Sequence, residues 1–318
     1  MPLAMIRAAM LAGALLVAAC SSGAPAERLP RVAVDADWAR VPTDVPFGEV
    51  SAVDVDARGR VFVLHRAGRA WREPFPVAPI ARDTVFVFDG RSGALLDSWG
   101  AGRFVMPHGL SLDEAGDVWI TDVALQQVAR FTPDGTEKLV LGREHGFDRP
   151  SDVAVGNGRV HVADGYRNRR IAVFDGNGRL VRQWGGEGTD PGRFNLPHAV
   201  AVDGGRVLVA DRENGRVQVF ASDGKLLAVW KGPALGHPYA VKPLPDGRVL
   251  VVEGRDRQDR YGAVLRVYRS DGSVERSLDA GRREPESSLG HDIAVAPDGT
   301  IYLVDHRRGQ VVRFRLFD

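Results

Sequence analysis

From residue 50 onward the chain is a succession of short apolar runs, such as VWI at 118–120, VHV at 160–162 and VLV at 207–209. Polar turns of the DEAGD, GNG and DGG kind separate them. Apolar residues recurring with period two over so few positions predict strands rather than helices. Turns that join Gly to Asn or Asp supply the positive φ that tight hairpins require. The pattern therefore predicts an all-β protein of antiparallel meanders.

The elements repeat as a unit. PHGLSLDEAGDVWITDVALQQVARFTPDGTEKLVLG begins at Pro107, and near-copies begin at Pro150 and Pro197. A looser copy starts at Pro238 with an insertion around Arg255–Tyr261. An earlier one starts near Val50 and is stretched by a Pro-rich loop at residues 71–80. The last begins at Gly290 and stops after its third strand, VVRFRLF. Six units of this four-stranded pattern, the last one strand short, at a spacing of roughly 40–50 residues predict a six-bladed β-propeller. The unpartnered RVAV at 31–34 is expected to supply the missing strand of the last blade and so close the ring. Residues 31–318 then form a single domain, because six blades share one closed architecture.

Composition changes this picture little. With 42 basic and 41 acidic residues the net charge is +1, which argues against a nucleic-acid partner. The first residues differ. MPLAMIRAAMLAGALLVAAC carries one early charge at Arg7 and an apolar run too short for a comfortable membrane span. Val17-Ala18-Ala19-Cys20 resembles a bacterial lipobox, so residues 1–19 read as a lipoprotein-type signal and Cys20 as the lipidation site. Residues 20–30 read as a tether. An exported monomer, held at the membrane only through that lipid and facing periplasm or cell exterior, is the expectation. Cys20 is the sole cysteine, so no disulfide can form within the chain.

The repeat also sorts the eight histidines. Aligned where the first strand of each unit begins, the six units carry Ser51, His108, Ser151, His198, Tyr239 and His291. First strands line a propeller's channel, so histidine in every second blade sets three imidazoles about 120° apart around the axis. Three protein ligands with open positions are how a catalytic zinc ion is held. Imidazole also suits iron and copper, so the metal stays open on this ground. The loops after each second strand face the same mouth with His65-Arg66, Asp122-Val123, Asp164-Gly165-Tyr166, Asp211-Arg212, Glu253-Gly254 and Asp305-His306. The recurring acid is expected to hold the turn. Arg66, Tyr166 and Arg212 break their units' pattern and are candidates for chemistry, whereas His145, His161, His237 and His306 are expected at the surface or in loops.

PHGLSLDEAGDVWITDVALQQV, DGYRNRRI, LPHAVAV, ADRENGRVQVF and GHDIAVAPDGTIY together resemble the peptidyl-α-hydroxyglycine α-amidating lyases, a family of NHL-repeat propellers. The resemblance runs from about Val50 to Phe314. It implies a zinc ion on His108, His198 and His291, a catalytic tyrosine at Tyr166 and a catalytic arginine at Arg66. It also implies a structural calcium held by Asp292 and by the carbonyls of Val53 and Leu110, with Arg212 contacting the substrate carboxylate. The implied reaction splits an N-substituted α-hydroxyglycine into an amide and glyoxylate, with Tyr166 as base and zinc as Lewis acid. The chain departs from the family in lacking disulfides and in carrying Leu289-Gly290 before the third histidine, and it is expected to act without an attached monooxygenase domain. Two other readings compete: a non-catalytic propeller lipoprotein that binds a partner, and a different metal-dependent propeller hydrolase. The second usually holds calcium with axial carboxylates, which the histidines here argue against.

Overall fold

In the computed structural model, residues 29–43, 45, 47–281 and 288–316 are described. The signal segment, Cys20 and most of the tether lie outside them. Six antiparallel sheets follow one another along the chain, five of four strands and a sixth of three. Blade one is Val50–Val55, Arg60–His65, Val85–Asp89 and Leu95–Trp99 (β1–β4). Blade two is Pro107–Leu112, Val118–Asp122, Gln127–Phe131 and Glu137–Leu141 (β5–β8), and blade three is Asp152–Gly156, Arg159–Asp164, Arg170–Asp175 and Leu180–Gly185 (β9–β12). Blade four comprises Pro197–Asp203, Arg206–Asp211, Arg216–Ala221 and Leu226–Trp230 (β13–β16). Blade five comprises His237–Pro243, Val249–Arg255, Tyr261–Tyr268 and Val274–Asp279 (β17–β20). Blade six has only Gly290–Val295, Thr300–Asp305 and Gln310–Arg315 (β21–β23). The insertion expected around Arg255–Tyr261 is mostly an extension of the β18–β19 hairpin, whose strands are the longest of that blade along with β17.

The core lies between blades rather than inside one. Val118 and Ile120 pack towards Phe62 and Leu64 of blade one, while Trp119 between them packs towards Val160 and Val162 of blade three. Likewise Val207 and Val209 face blade three, and Leu208 faces blade five. Both faces of an inner strand are therefore buried, which is why those runs are continuously apolar. Solvent-facing alternation appears only in outer strands such as Leu95–Trp99, whose middle residues are exposed. Six such clusters, one per junction, complete the circle, and the last joins Ala294, Tyr302 and Val304 to Val50, Val61 and Val63.

Closure by the N-terminal segment takes a looser form than the regular strand expected from RVAV. Asp35 exchanges both backbone hydrogen bonds with Arg313 on β23, at 2.8 and 3.0 Å. Upstream, Arg31 bridges Asp279 of blade five in parallel, and downstream Arg40 bridges Ala94 of blade one. The segment is thus a strap over three blades rather than one strand in the sixth. Trp38 anchors it in the closing cluster, its indole N–H donating to Gly90 O at 3.1 Å. A side chain at Gly93 would stand 1.8 Å from Trp38 O, so the crossing needs glycine there.

Candidate metal centre

His108 on β5, His198 on β13 and His291 on β21 form a near-equilateral triangle, with ring centroids 5.1, 5.0 and 4.9 Å apart. All three are buried, and among the described residues they are the group whose ligand atoms converge, within 4.8 Å of one another. Each Nδ1 lies 2.7 Å from a backbone carbonyl: His108 with Ser151, His198 with Tyr239 and His291 with Ser51. Those three acceptors are the non-histidine positions of the alternating set. A carbonyl accepts only, so every ring carries its proton on Nδ1 and turns an Nε2 lone pair to the axis. Burial depresses all three pKa values well below the ordinary 6.5, aided by Arg66 at His108, Arg212 at His198 and His306 at His291. Neutral imidazoles with converging lone pairs, and no hydrogen-bond partner for the buried His198 Nε2, fit a divalent metal such as zinc.

One hydrogen bond recurs around the mouth and explains which side chains gather there. The residue just past strand two donates its N–H to the carbonyl just before strand one: Arg66 to Glu49, Val123 to Met106, Tyr166 to Arg149, Arg212 to Leu196 and His306 to Leu289. The acid preceding these positions ties the same two loops together. Asp122 accepts from the N–H groups of Val105 and Met106, Asp211 from Asn195, and Asp305 from Leu289. Its expected structural role matches this geometry. Gly165 lets the Tyr166 loop press on the next blade, since a Cβ there would lie 2.1 Å from Pro197 O.

Above the imidazoles these side chains close a pocket of about 130 Å³ lined by Arg66, Trp71, His108, Tyr166, Arg212 and Tyr239, with Leu289, His291 and His306. Tyr166 Oη lies 2.9 Å from His108 Nε2. Burial raises its phenol pKa, and Arg212 and Arg66 only partly counter this, so the two arginines alone do not make it a phenolate. The buried Arg66 donates from Nε to Pro107 O at 3.2 Å and from Nη1 to Glu49, leaving Nη2 without a partner. Burial lowers its pKa against the pull of Glu49 and Tyr166. Arg212 stacks over Tyr239 at 4.7 Å and is steadied by Glu213 at 2.8 Å.

His306 was expected at the mouth without a role, and Glu49 and Trp71 were not expected there. His306, in the turn after β22 as expected of a loop residue, stacks on His291 at 4.8 Å and lies 3.5 Å from Glu49. Its place after Asp305, equivalent to Arg66 and Arg212, was the available signal. Glu49 carries a pKa lowered to about 2: burial opposes that, but His306 and Arg66 outweigh it. Trp71 arrives from the Pro-rich loop, 5.1 Å from the Tyr166 ring and 5.3 Å beneath the Arg66 guanidinium. A correction concerns His161, which is buried in β10 rather than at the surface or in a loop. His65 turns away from the mouth to pack on Phe47 and Phe86.

The residues implied for calcium also meet. Val53, Leu110 and Asp292 line one cavity further along the first strands, but Lys242 shares it and pairs with Asp54 at 2.8 Å. Calcium requires six to eight oxygen ligands. An ammonium within such a cage does not fit it.

Comparison with known proteins supports these observations. The NHL repeat family matches residues 194–220. The chain is 36% identical over 315 residues to peptidyl-glycine alpha-amidating monooxygenase B of Xenopus laevis, a match covering 88% of this chain and 35% of that protein. The chain thus spans about a third of the length of such monooxygenases. It is 31% identical to the probable peptidyl-alpha-hydroxyglycine alpha-amidating lyase pgal-1 of Caenorhabditis elegans, covering 85% of this chain and 83% of that one. Among solved structures, a catalytically inactive virginiamycin B lyase from Staphylococcus aureus, crystallised with quinupristin, aligns with a TM-score of 0.58 at 12% identity, over 90% of this chain and 99% of that one. The last likeness concerns the fold alone.

Proposed function

The chain belongs to the peptidyl-α-hydroxyglycine α-amidating lyase family, and on that footing we propose that it cleaves an N-acyl-α-hydroxyglycine into an amide and glyoxylate. The observation carrying this reading is the convergence of three neutral imidazoles beneath Tyr166 in a pocket edged by two arginines. The substrate's C–N bond breaks as its hydroxyl carbon becomes a carbonyl; the hydroxyl proton leaves and the amide nitrogen gains one.

Arg212 and the free Nη2 of Arg66 are suited to hold the substrate carboxylate at the mouth. Trp71 and Tyr239 offer aromatic walls to the acyl portion. Tyr166 Oη is the group placed to take the hydroxyl proton. Held by His108, His198 and His291, zinc would supply Lewis acidity to the hydroxyl oxygen and a positive charge that favours the tyrosine phenolate. Half-buried between Arg66 and His306, Glu49 keeps the arginine head in place. Export and lipid attachment through Cys20 belong to the same proposal.

Metal analysis of the purified protein, followed by an assay of glyoxylate release from α-hydroxyhippurate, tests it. Stoichiometric zinc with metal-dependent glyoxylate release is expected. A folded, zinc-loaded protein that releases none from this or from peptidyl-α-hydroxyglycines would remove the lyase reading.

A further inference from the structure

Past the imidazoles, on the same first strands, lies a second layer of charge. Asp54 on β1, Asp152 on β9, Lys242 on β17 and Asp292 on β21 line a cavity of about 200 Å³. Each carboxylate accepts a backbone N–H from another blade. Asp292 takes that of Val53, Asp54 that of Leu112 and Asp152 that of Val200, all at 2.9 Å. These bonds lace blades six to one, one to two and three to four.

Three acids around one axis repel one another, and a cation among them relieves this. The fold provides one of its own. Lys242 reaches across from blade five, its Nζ 2.8 Å from Asp54 Oδ1, with its positive charge also acting on Asp292 and Asp152. Its side chain retains 30% exposure, so the ammonium can keep some water as well. The acids do not themselves form a ligand set: among the described residues the convergent group is the histidine triad.

We propose that the Lys242 ammonium, paired with Asp54, is the resident cation of this layer and takes the place of a structural calcium ion. The axis then carries one metal, at the histidines, and a covalently attached cation below it. A tethered ammonium needs no supply of free calcium and cannot be lost by dilution. This inference stands apart from the lyase reading, because it concerns the charge balance of the channel and not turnover.

The test uses the full chain with zinc kept saturating. Calcium and zinc are measured by mass spectrometry, and Tm is recorded with and without millimolar calcium chloride. Wild type is expected to carry zinc but no stoichiometric calcium, with Tm unmoved by calcium. Lys242→Ser is expected to lose several degrees of Tm in calcium-free buffer and to recover them as calcium binds. Stoichiometric calcium in wild type, or a wild-type Tm that climbs with calcium, overturns the proposal. So does a Lys242→Ser variant as stable as wild type without calcium. Should that variant fail to fold, the wild-type measurements decide alone.

Discussion

His291 Nδ1 meets the backbone carbonyl of Ser51 at 2.7 Å, across the junction where the last blade joins the first. The same contact that orients a ligand also locks the ring of blades. Its counterparts at Ser151 and Tyr239 repeat the arrangement, each imidazole held by the backbone carbonyl of the equivalent position in the next blade. Metal binding at these histidines is therefore predicted to couple to ring closure. Removing the metal with a chelator should abolish activity, lower Tm and leave the β-rich circular dichroism spectrum in place at low temperature, and zinc should restore activity and Tm together. Restored activity without any change in Tm would separate the two.

Tyr166→Phe keeps the ring and its contact with Trp71 but removes the hydroxyl 2.9 Å from His108 Nε2. Metal content and Tm should stay near wild type while kcat falls by about 10²–10⁴. Steady-state glyoxylate release on zinc-loaded enzyme measures it, and near-full activity would take Tyr166 out of the reaction.

Glu49→Gln withdraws the carboxylate that faces the buried Arg66. An arginine left in that setting without its counter-charge costs about 3–5 kcal/mol when fully enclosed, and somewhat less here because Glu49 is partly exposed. Urea denaturation should register the loss, and KM should rise as the Arg66 head loses its orientation. An unchanged unfolding midpoint would show that the pair contributes little.

Trp71→Ala opens the pocket wall beside Tyr166 without touching a metal ligand. KM for substrates with a bulky acyl group should rise more than kcat falls, and the penalty should shrink for an N-acetyl substrate. Equal losses for both would place Trp71 outside the recognition of the acyl portion.

His161 governs part of the acid stability. Burial lowers its pKa to about 4 from the ordinary 6.5, helped by Arg159 and Arg182, and neither ring nitrogen has a hydrogen-bond partner. The unfolded chain therefore binds a proton that the folded one refuses. Its contribution is intact above pH 6.5 and is lost as pH falls towards 4, by up to about 3 kcal/mol. His161→Leu, set against Ala154 and Val173, should flatten that slope and raise Tm at pH 5. Thermal melts across the range would show it, and a slope as steep as wild type would exclude His161 as its source.

Read alone, the sequence determined the repeat, the blade count and the alternating histidines. These are local periodicities, carried by apolar spacing and by turn residues, and a repeated unit projects them onto a ring without further information. It also carried Arg66, Tyr166 and Arg212, because each departs from its own unit's pattern. Tertiary structure alone decided what surrounds them. Glu49 holds a repeated position before a first strand, but the pattern does not show that its carboxylate meets Arg66; Trp71 comes from an irregular loop with no repeat to align, and the role of His306 depends on which neighbour its ring meets. Lys242 and Asp54 are 188 residues apart and meet only because the ring brings blade five within reach of blade one. Pattern records what each blade contributes; which charges balance across the channel follows from closure, which fixes distances between residues that share no local signal.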